Sequence, residues 1–367
     1  MKVAKLTFAP SLSGGGLGRG NNMNHNNPRL YHINVTRQCN LGCSHCYIEL
    51  EIRDRKDILS PDQFSEIMIA IRDLFQEDRR PPDIHIIGGE PTLVPIENHH
   101  AYLDAVSKHL DGIPHTLSLV SAIPNRRAVE IGKLYPQVIT SWDADARQQN
   151  HWLWLGYINS LREADVDTRV AVSLSNRVLD YGVERVLDFL SHDTGFKEIH
   201  LAPLIPTPNA KEEMPLNGEI SDALIRSAKW AMSHPEIMLT PYAGLLSARD
   251  GNYDELACPV LQDAINLEPD LRICSCVGEA GMSGELIPYN GDLMTMIRST
   301  AFKQEKLQHS RLPAHCLKCR HQQLCRGGCK IAHDYQPFDE SGECHGFSWF
   351  LDYMANLEPE LDQSVAS

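Results

Sequence analysis

One loop constrains this chain more than any other stretch: Cys39-Asn40-Leu41-Gly42-Cys43-Ser44-His45-Cys46-Tyr47. Three cysteines fall within eight residues, spaced C-x3-C-x2-C. Asn40, Gly42, Ser44 and His45 between them have loop chemistry, which disfavours three buried core thiols. Zinc prefers four ligands in a tetrahedron, commonly on paired C-x2-C arms, and this loop supplies no fourth ligand nearby. A cubane iron–sulfur cluster has four irons and usually takes four thiolates. Three thiolates leave one iron free to bind a small molecule through its amino and carboxylate groups.

The flanking sequence reads as alternating strands and helices. Leu30–Val35 reads as a strand feeding the cysteine loop. Ser60-Pro61-Asp62-Gln63 is a helix start, with Ser at N-cap, Pro at N1 and Gln at N3. Phe64, Ile67, Met68, Ile71, Leu74 and Phe75 follow at helical spacing and are expected in the core. Asp83–Ile87 is a short strand ending in Gly88-Gly89-Glu90-Pro91. Two glycines at a strand end let the backbone approach a ligand closely, and the carboxylate can accept hydrogen bonds from an ammonium group. Alone, this tetrapeptide would be an ordinary turn.

Further strands are expected at His115–Val120, Gln137–Trp142, Thr168–Leu174 and Glu198–Leu201. Helices are expected at Ala101–Leu110, Arg127–Leu134, His151–Glu163 and Gly182–Leu190. Six strands alternating with helices predict parallel βαβ units, with the active site at the C-terminal strand ends. Ser121, Ser141, Asp143, Ser173, Ser175 and Asn176 are the polar residues at those ends, and Asp143 and Ser173 lead among them. Each singly also reads as a turn or cap residue. Glu219–Met232 is expected as a helix crossing out of this unit. Near Tyr242 the character changes.

The other eight cysteines lie beyond that point: Cys258, Cys274, Cys276, then Cys316-x2-Cys319-x5-Cys325-x3-Cys329, and Cys344. By itself the C-x2-C…C-x3-C run suits a zinc ribbon about as well as an iron–sulfur site. Beside the N-terminal loop, iron–sulfur clusters are favoured.

Taken together, the cysteine loop followed by Tyr47, the Gly88-Gly89-Glu90-Pro91 turn about forty residues later, and the second cysteine set resemble the radical SAM enzymes that carry a C-terminal SPASM domain. The resemblance spans roughly residues 30–350. It implies a partial (β/α)6 barrel, open on one side, followed by a small loop-rich cysteine-ligated domain. The organisation expected is a Gly/Asn-rich leader at 1–28, the barrel at 29–240 and the SPASM domain at 241–367. The resemblance further implies that S-adenosylmethionine binds the open iron and Glu90, with Tyr47, Gly88, Gly89, Pro91, Ser141 and Ser173 around it. Reductive cleavage then yields a 5′-deoxyadenosyl radical that abstracts hydrogen from the substrate; the cofactor carries the difficult chemistry. The Pro203-Leu204-Ile205-Pro206 segment resembles the family's apolar stretch near the adenine.

The same resemblance implies two auxiliary [4Fe–4S] clusters, three in all. Cys316, Cys319, Cys325 and Cys344 would hold the outer one, and Cys258, Cys274, Cys276 and Cys329 the inner one. Three plus two sets of four equals the eleven cysteines present. The chain departs from the family where relatives have Gly-x4-Cys, because Cys274 and Cys276 stand as C-x-C. Either both are ligands, or one is not and the inner cluster keeps an open iron.

Composition narrows partners and compartment. The formal charge of −14 disfavours nucleic acid, whose phosphates need basic stripes. No run of 18 apolar residues appears, so no membrane span is expected. Clustered thiols without a secretion signal point to a reducing, cytoplasmic setting and a reductant such as flavodoxin or ferredoxin.

The leading expectation is a peptide-modifying maturase. It would abstract a side-chain hydrogen of a ribosomally made peptide and form a cross-link with net two-electron oxidation. Only about thirty residues precede the first strand, so leader recognition falls to a separate leader-binding protein or is direct. The alternative is a small-molecule dehydrogenase or epimerase acting on an amino sugar or aminocyclitol. Formylglycine formation ranks lower, because Ser275 and Val277, not Asp, follow the two inner cysteines. A non-enzymatic iron–sulfur or zinc scaffold would need neither barrel nor Gly-Gly-Glu-Pro turn. Candidate bases are Asp143, Asp145 and Glu279.

Overall fold

The computed structural model describes residues 28–143, 150–249, 264–282, 286–309, 311–335 and 338–357. Asp145, Cys258 and the leader before Pro28 lie outside the described residues.

The helix Pro61–Asp78 starts as its sequence dictates. Gln63 N–H donates to Ser60 Oγ at 3.2 Å, and Ser60 N–H donates to Gln63 Oε1 at 2.9 Å. These reciprocal bonds satisfy two of the amides every helix start leaves unpaired. Phe64, Ile67, Met68, Ile71 and Leu74 are buried as their spacing predicts. Phe75 is only half-buried, with the Arg79 guanidinium over its ring.

All six expected strands form: β1 (Leu30–Thr36), β2 (Asp83–Gly88), β3 (Thr116–Val120), β4 (Gln137–Trp142), β5 (Asp167–Leu174) and β6 (Glu198–Pro203). The sheet then exceeds expectation. β7 (Met238–Thr240) continues it beyond β6, and β8 (Ala264–Leu267) and β9 (Ile273–Cys274) add to the opposite edge, giving the order β7-β6-β5-β4-β3-β2-β1-β8-β9. Every pairing is parallel except β8 with β9. The cysteine-rich part of the chain thus completes the barrel sheet at β1. The helix expected at Gly182–Leu190 forms as Val183–Asp188 and runs on as a π-helix over Phe189–Asp193, and an additional helix, Asn176–Tyr181, precedes it, divided from it by Gly182, whose φ of 91° breaks the helical backbone.

One sheet face is closed by helices: Ile33, Ile86, Leu119, Val138, Val170 and Val172 are almost wholly buried there. On the other face Ser141 stands opposite Ala171 in the β4–β5 register, and Ser173 follows two residues on. Both serines are half-exposed, which puts a small polar surface on the barrel's inner side.

The helix Asn217–Met232 does not leave the barrel as expected. It packs between Val183–Asp188 and the C-terminal helix Ser348–Asn356. Its first turn grips the loop before Cys344: Asn217 Nδ2 donates to the Glu343 carbonyl at 3.1 Å, Gly218 N–H to Ser341 Oγ at 3.1 Å, and Ser221 Oγ to Glu343 at 3.1 Å. Glu343, fully buried, also accepts from the Ser348 and Trp349 amides at 3.0 and 2.7 Å. One carboxylate therefore ties the last cysteine loop to a barrel helix.

Candidate active site

The first cysteine loop leaves the C-terminal end of β1, beside the turn that ends β2. Gly89 N–H donates to the Thr36 carbonyl at 3.0 Å and Glu90 N–H to the Gln38 carbonyl at 2.7 Å. The two glycines are required by this contact. A Cβ on Gly88 would stand 2.3 Å from Thr36 O, and one on Gly89 2.3 Å from Gln38 O. Their close approach is thus to the chain's own backbone at the root of the cysteine loop, whereas the sequence reading gave it to a ligand.

Glu90 is 1% exposed. Its Oε1 accepts from Ser121 Oγ at 2.6 Å and from the Thr92 amide at 3.2 Å, with Thr92 Oγ1 close by; Oε2 accepts from the Ala122 amide at 3.1 Å. Burial pushes its pKa up, against the bonds from Ser121 and Thr92 that favour the charged form. The carboxylate joins the end of β2 to the end of β3 and leaves Oε2 a lone pair for an ammonium group. Pro91 opens a short 3₁₀ turn behind it.

Cys39, Cys43 and Cys46 are half-buried, and Cys46 N–H closes a turn on the Cys43 carbonyl at 3.3 Å. Burial raises the Cys39 pKa, and the charges of Glu90 and Cys46 raise it further. The Glu90 amide, bonded to the Gln38 carbonyl, sets that carboxylate's backbone beside the start of the loop. Three thiols on one partly open loop fit a cluster with a free iron.

Three contacts hold the loop. Ser44 Oγ donates to Glu213 at 2.8 Å, and Arg177 Nε donates to the same carboxylate at 2.7 Å. Arg53 donates to the Leu41 carbonyl at 3.2 Å. His45 Nε2 lies 3.5 Å from Asp143 at the end of β4, both buried. Asp143 is therefore brought against the cysteine loop. Ser121 joins Glu90. Ser175 caps the helix Asn176–Tyr181 and Asn176 binds the carbonyls of Glu212 and Met214, so both are structural.

Sequence reasoning missed a buried polar ladder beneath the loop. Arg37 Nε donates to Glu268 at 2.8 Å, with a second bond through Nη2, and the two side chains are 1% and 2% exposed. Asn266 Nδ2 reaches Glu268 at 2.8 Å, and Asn34 Nδ2 reaches Asn266 at 2.7 Å. Burial lowers the Arg37 pKa but the Glu268 partnership outweighs it, for a net rise. The partners stand over two hundred positions apart, so no spacing rule could have paired them.

Burial raises the pKa of Tyr47, which follows the third cysteine of the loop. A Cβ on Gly281 would meet its ring at 2.5 Å, and Glu49 N–H donates to the Gly281 carbonyl at 2.8 Å. Gly281 ends the short helix that follows Cys276. The two cysteine regions are thus in contact through glycine.

In the C-terminal part, burial raises the Cys325 pKa to about 12, and Cys344, Cys316 and Cys319 push in the same direction. A Cβ on Gly346 would lie 2.6 Å from Cys325 Sγ and 3.7 Å from Cys344 Sγ. Gly346 thus stands between Cys325 and Cys344, and Cys316 and Cys319 share one turn through Cys319 N–H to the Cys316 carbonyl at 3.1 Å, an arrangement of four thiols that fits one cluster. Glu279 behaves otherwise. It lies 3.2 Å from His309 Nε2 and 3.4 Å from Lys330 Nζ. The His309 bond lowers the Glu279 pKa. His309, desolvated yet held by Glu279 and Glu305, is raised to about 9. Glu279, Glu305 and His309 bring one ligand atom each close enough to group around a metal ion, and without one they form an ion-pair knot. Glu279 is thus already engaged by His309 and Lys330.

No protein-family model matches the chain, and no curated protein matches it in sequence. Solved structures do match. The chain superposes on anSMEcpe with bound AdoMet at a TM-score of 0.72 and 14% identity, covering 93% of this chain and 98% of that one. The anSMEcpe complex with AdoMet and the Kp18Cys peptide gives 0.73 and 15%, over 92% and 99%. Streptococcus suis SuiB bound to its precursor peptide SuiA gives 0.65 and 12%, over 87% and 77%. The strand-end cysteine loop, the extended parallel sheet and the cysteine-rich C-terminal part together have the fold of the radical SAM enzymes with a SPASM domain.

Proposed function

We propose that this chain is a radical SAM/SPASM enzyme that modifies a peptide. The observation that carries the reading is the junction at the ends of β1 and β2, where backbone bonds join the three-cysteine loop to Gly88-Gly89-Glu90-Pro91. Cys39, Cys43 and Cys46 would hold a [4Fe–4S] cluster, which supplies the electron that cleaves S-adenosylmethionine. Glu90 Oε2 accepts from the cosubstrate's ammonium. Ser141 and Ser173 offer hydroxyls on the inner face. His45 and Asp143 stand as a buried pair at the loop's edge. Cys316, Cys319, Cys325 and Cys344 would hold the outer auxiliary cluster.

Peptide as substrate class is supported by the solved neighbours that carry peptides, Kp18Cys on anSMEcpe and SuiA on SuiB. A reductant of acidic surface suits the region around the outer cysteines. Residues 303–330 hold seven Lys or Arg and one acidic residue, Glu305, in a chain with 34 basic and 48 acidic residues. Arg311, Lys318 and Arg320 there are exposed. Reduction by a flavodoxin or ferredoxin is expected to slow as salt rises.

The test is anaerobic reconstitution beside a variant with Cys39, Cys43 and Cys46 changed to Ala, measuring iron, sulfide, zinc and 5′-deoxyadenosine. About twelve irons in the parent and about eight in the variant, with cleavage only in the parent, are expected. About four irons plus zinc would refute the auxiliary clusters. Incubation with candidate peptides then reads the substrate class as a loss of two hydrogens by mass.

A further inference from the structure

We infer that Glu279, Glu305 and His309 form a divalent-cation site of one imidazole and two carboxylates, apart from the cysteines. Each side chain brings one ligand atom into a group in which all lie within 4.8 Å of one another. No thiol takes part, so the site stands whichever way the cysteines divide.

Two helices build it. Glu305 and His309 are an i, i+4 pair on the helix Thr300–His309, so they stand on one face, one turn apart. That spacing is the way a single helix offers two donors to one metal ion. Glu279 comes from the short helix Val277–Gly281 and meets them from outside that helix. His309 Nε2 lies 3.2 Å from Glu279 Oε2 and 3.3 Å from Glu305 Oε1. A charge-assisted hydrogen bond would draw such atoms to about 2.7–2.9 Å. Atoms bound to a common ion at about 2.1 Å stand about 3.0 Å apart at right angles and about 3.4 Å apart in a tetrahedron. Both distances here fall in that interval.

The neighbours orient the ligands as the outer partners of a metal site do. The Ser275 amide and hydroxyl donate to Glu305 at 3.1 and 2.6 Å. Lys330 Nζ lies 3.4 Å from Glu279 Oε1, which leaves Oε2 for the ion. His309 is buried and the two carboxylates are half-buried. His309 also lines a cavity of about 310 Å³ with Arg311, Arg326, Lys330 and His333, which gives an ion an entry path and leaves its remaining positions to water or an anionic group. Two carboxylates balance a divalent charge. Carboxylate oxygens suit Mn2+ and imidazole suits zinc or iron(II), so a first-row divalent ion is the class expected. In the metal-free chain a proton on His309 takes that place between the carboxylates, and the ion displaces it on binding.

The full chain is reconstituted anaerobically, freed of loose cations on a chelating resin and titrated with Mn2+ alone, with the free ion read by its EPR signal. About one Mn2+ per chain is expected, with nitrogen modulation of the bound ion from the imidazole. Glu279→Gln and His309→Gln should each weaken binding at least about tenfold, and only His309→Gln should abolish the nitrogen modulation. Asp334→Asn is the control. That exposed carboxylate also pairs with Lys330, at 3.0 Å, but is not a ligand, so its variant makes the same charge change as Glu279→Gln and should bind Mn2+ as the parent does. Iron counts and circular dichroism on the same samples check the fold, and Glu279→Gln carries the test if His309→Gln loses structure. The site is overturned if the parent binds no Mn2+, if affinity is unchanged in Glu279→Gln, or if nitrogen modulation persists in His309→Gln. A loss in Asp334→Asn equal to that in Glu279→Gln overturns it too, since general surface charge would then account for the binding.

Discussion

Replacing Glu268 by Gln should loosen the first cysteine loop from beneath. The substitution removes the charge that partners Arg37, leaving a guanidinium that is 1% exposed with a neutral amide. Breaking one side of a buried ion pair typically costs about 3–5 kcal/mol. An unfolding entropy of about 2.1 cal/mol/K per residue over this chain turns that into a fall in Tm of about 4–6 °C. Arg37 lies two residues before Cys39, so the radical-cluster site should also lose iron before the C-terminal sites do. The assay is an anaerobic thermal melt with iron counted on the same samples. The double variant Arg37→Met with Glu268→Leu should recover most of the loss, since apolar replacement of a buried pair is often neutral. A Tm within 1 °C (roughly 1 kcal/mol at this size) of the parent for Glu268→Gln would refute the reasoning. A double variant no better than the single would show that the cost is not the unpaired charge.

Gly89→Ala should cost the first cluster specifically, because the new Cβ would lie 2.3 Å from Gln38 O and 2.5 Å from Arg37 O, both backbone atoms. Iron near eight per chain, not twelve, is expected, and full loading with parental Tm would contradict the contact. The His309 knot makes stability depend on pH. Its folded pKa, about 9, exceeds the ordinary 6.5, so the stabilisation is complete below about pH 6.5 and lost as pH rises through about 9, at most about 3 kcal/mol. Urea melts at pH 6 and pH 9.5 should show that drop in the parent and flatten in His309→Gln; equal slopes in both would rule the knot out. Cys344→Ala should lose about four irons yet still release 5′-deoxyadenosine from the first site, and loss of that release would mean the two regions do not load independently.

The sequence by itself determined whatever depends on near neighbours. Ser60, Pro61 and Gln63 dictated a helix start because capping is satisfied within one turn. The strands fell where alternation and turn residues put them, and the cysteine loop and Gly-Gly-Glu-Pro turn were legible because ligand spacing is local. Tertiary structure decided the rest. Arg37 and Glu268 form the ladder under the loop only because β8 adds beside β1, across more than two hundred residues. The same pairing sets Cys274 inside a sheet while Cys276 remains at its edge, a distinction two identical side chains two positions apart do not announce. The glycines of the turn serve the chain's own backbone, since only the fold sets which atoms lie opposite a missing Cβ. Glu279, an acidic residue like Asp143 in sequence, is separated from it by its partners: His309 and Lys330 hold one carboxylate in an ion-pair knot, and His45 brings the other to the cysteine loop.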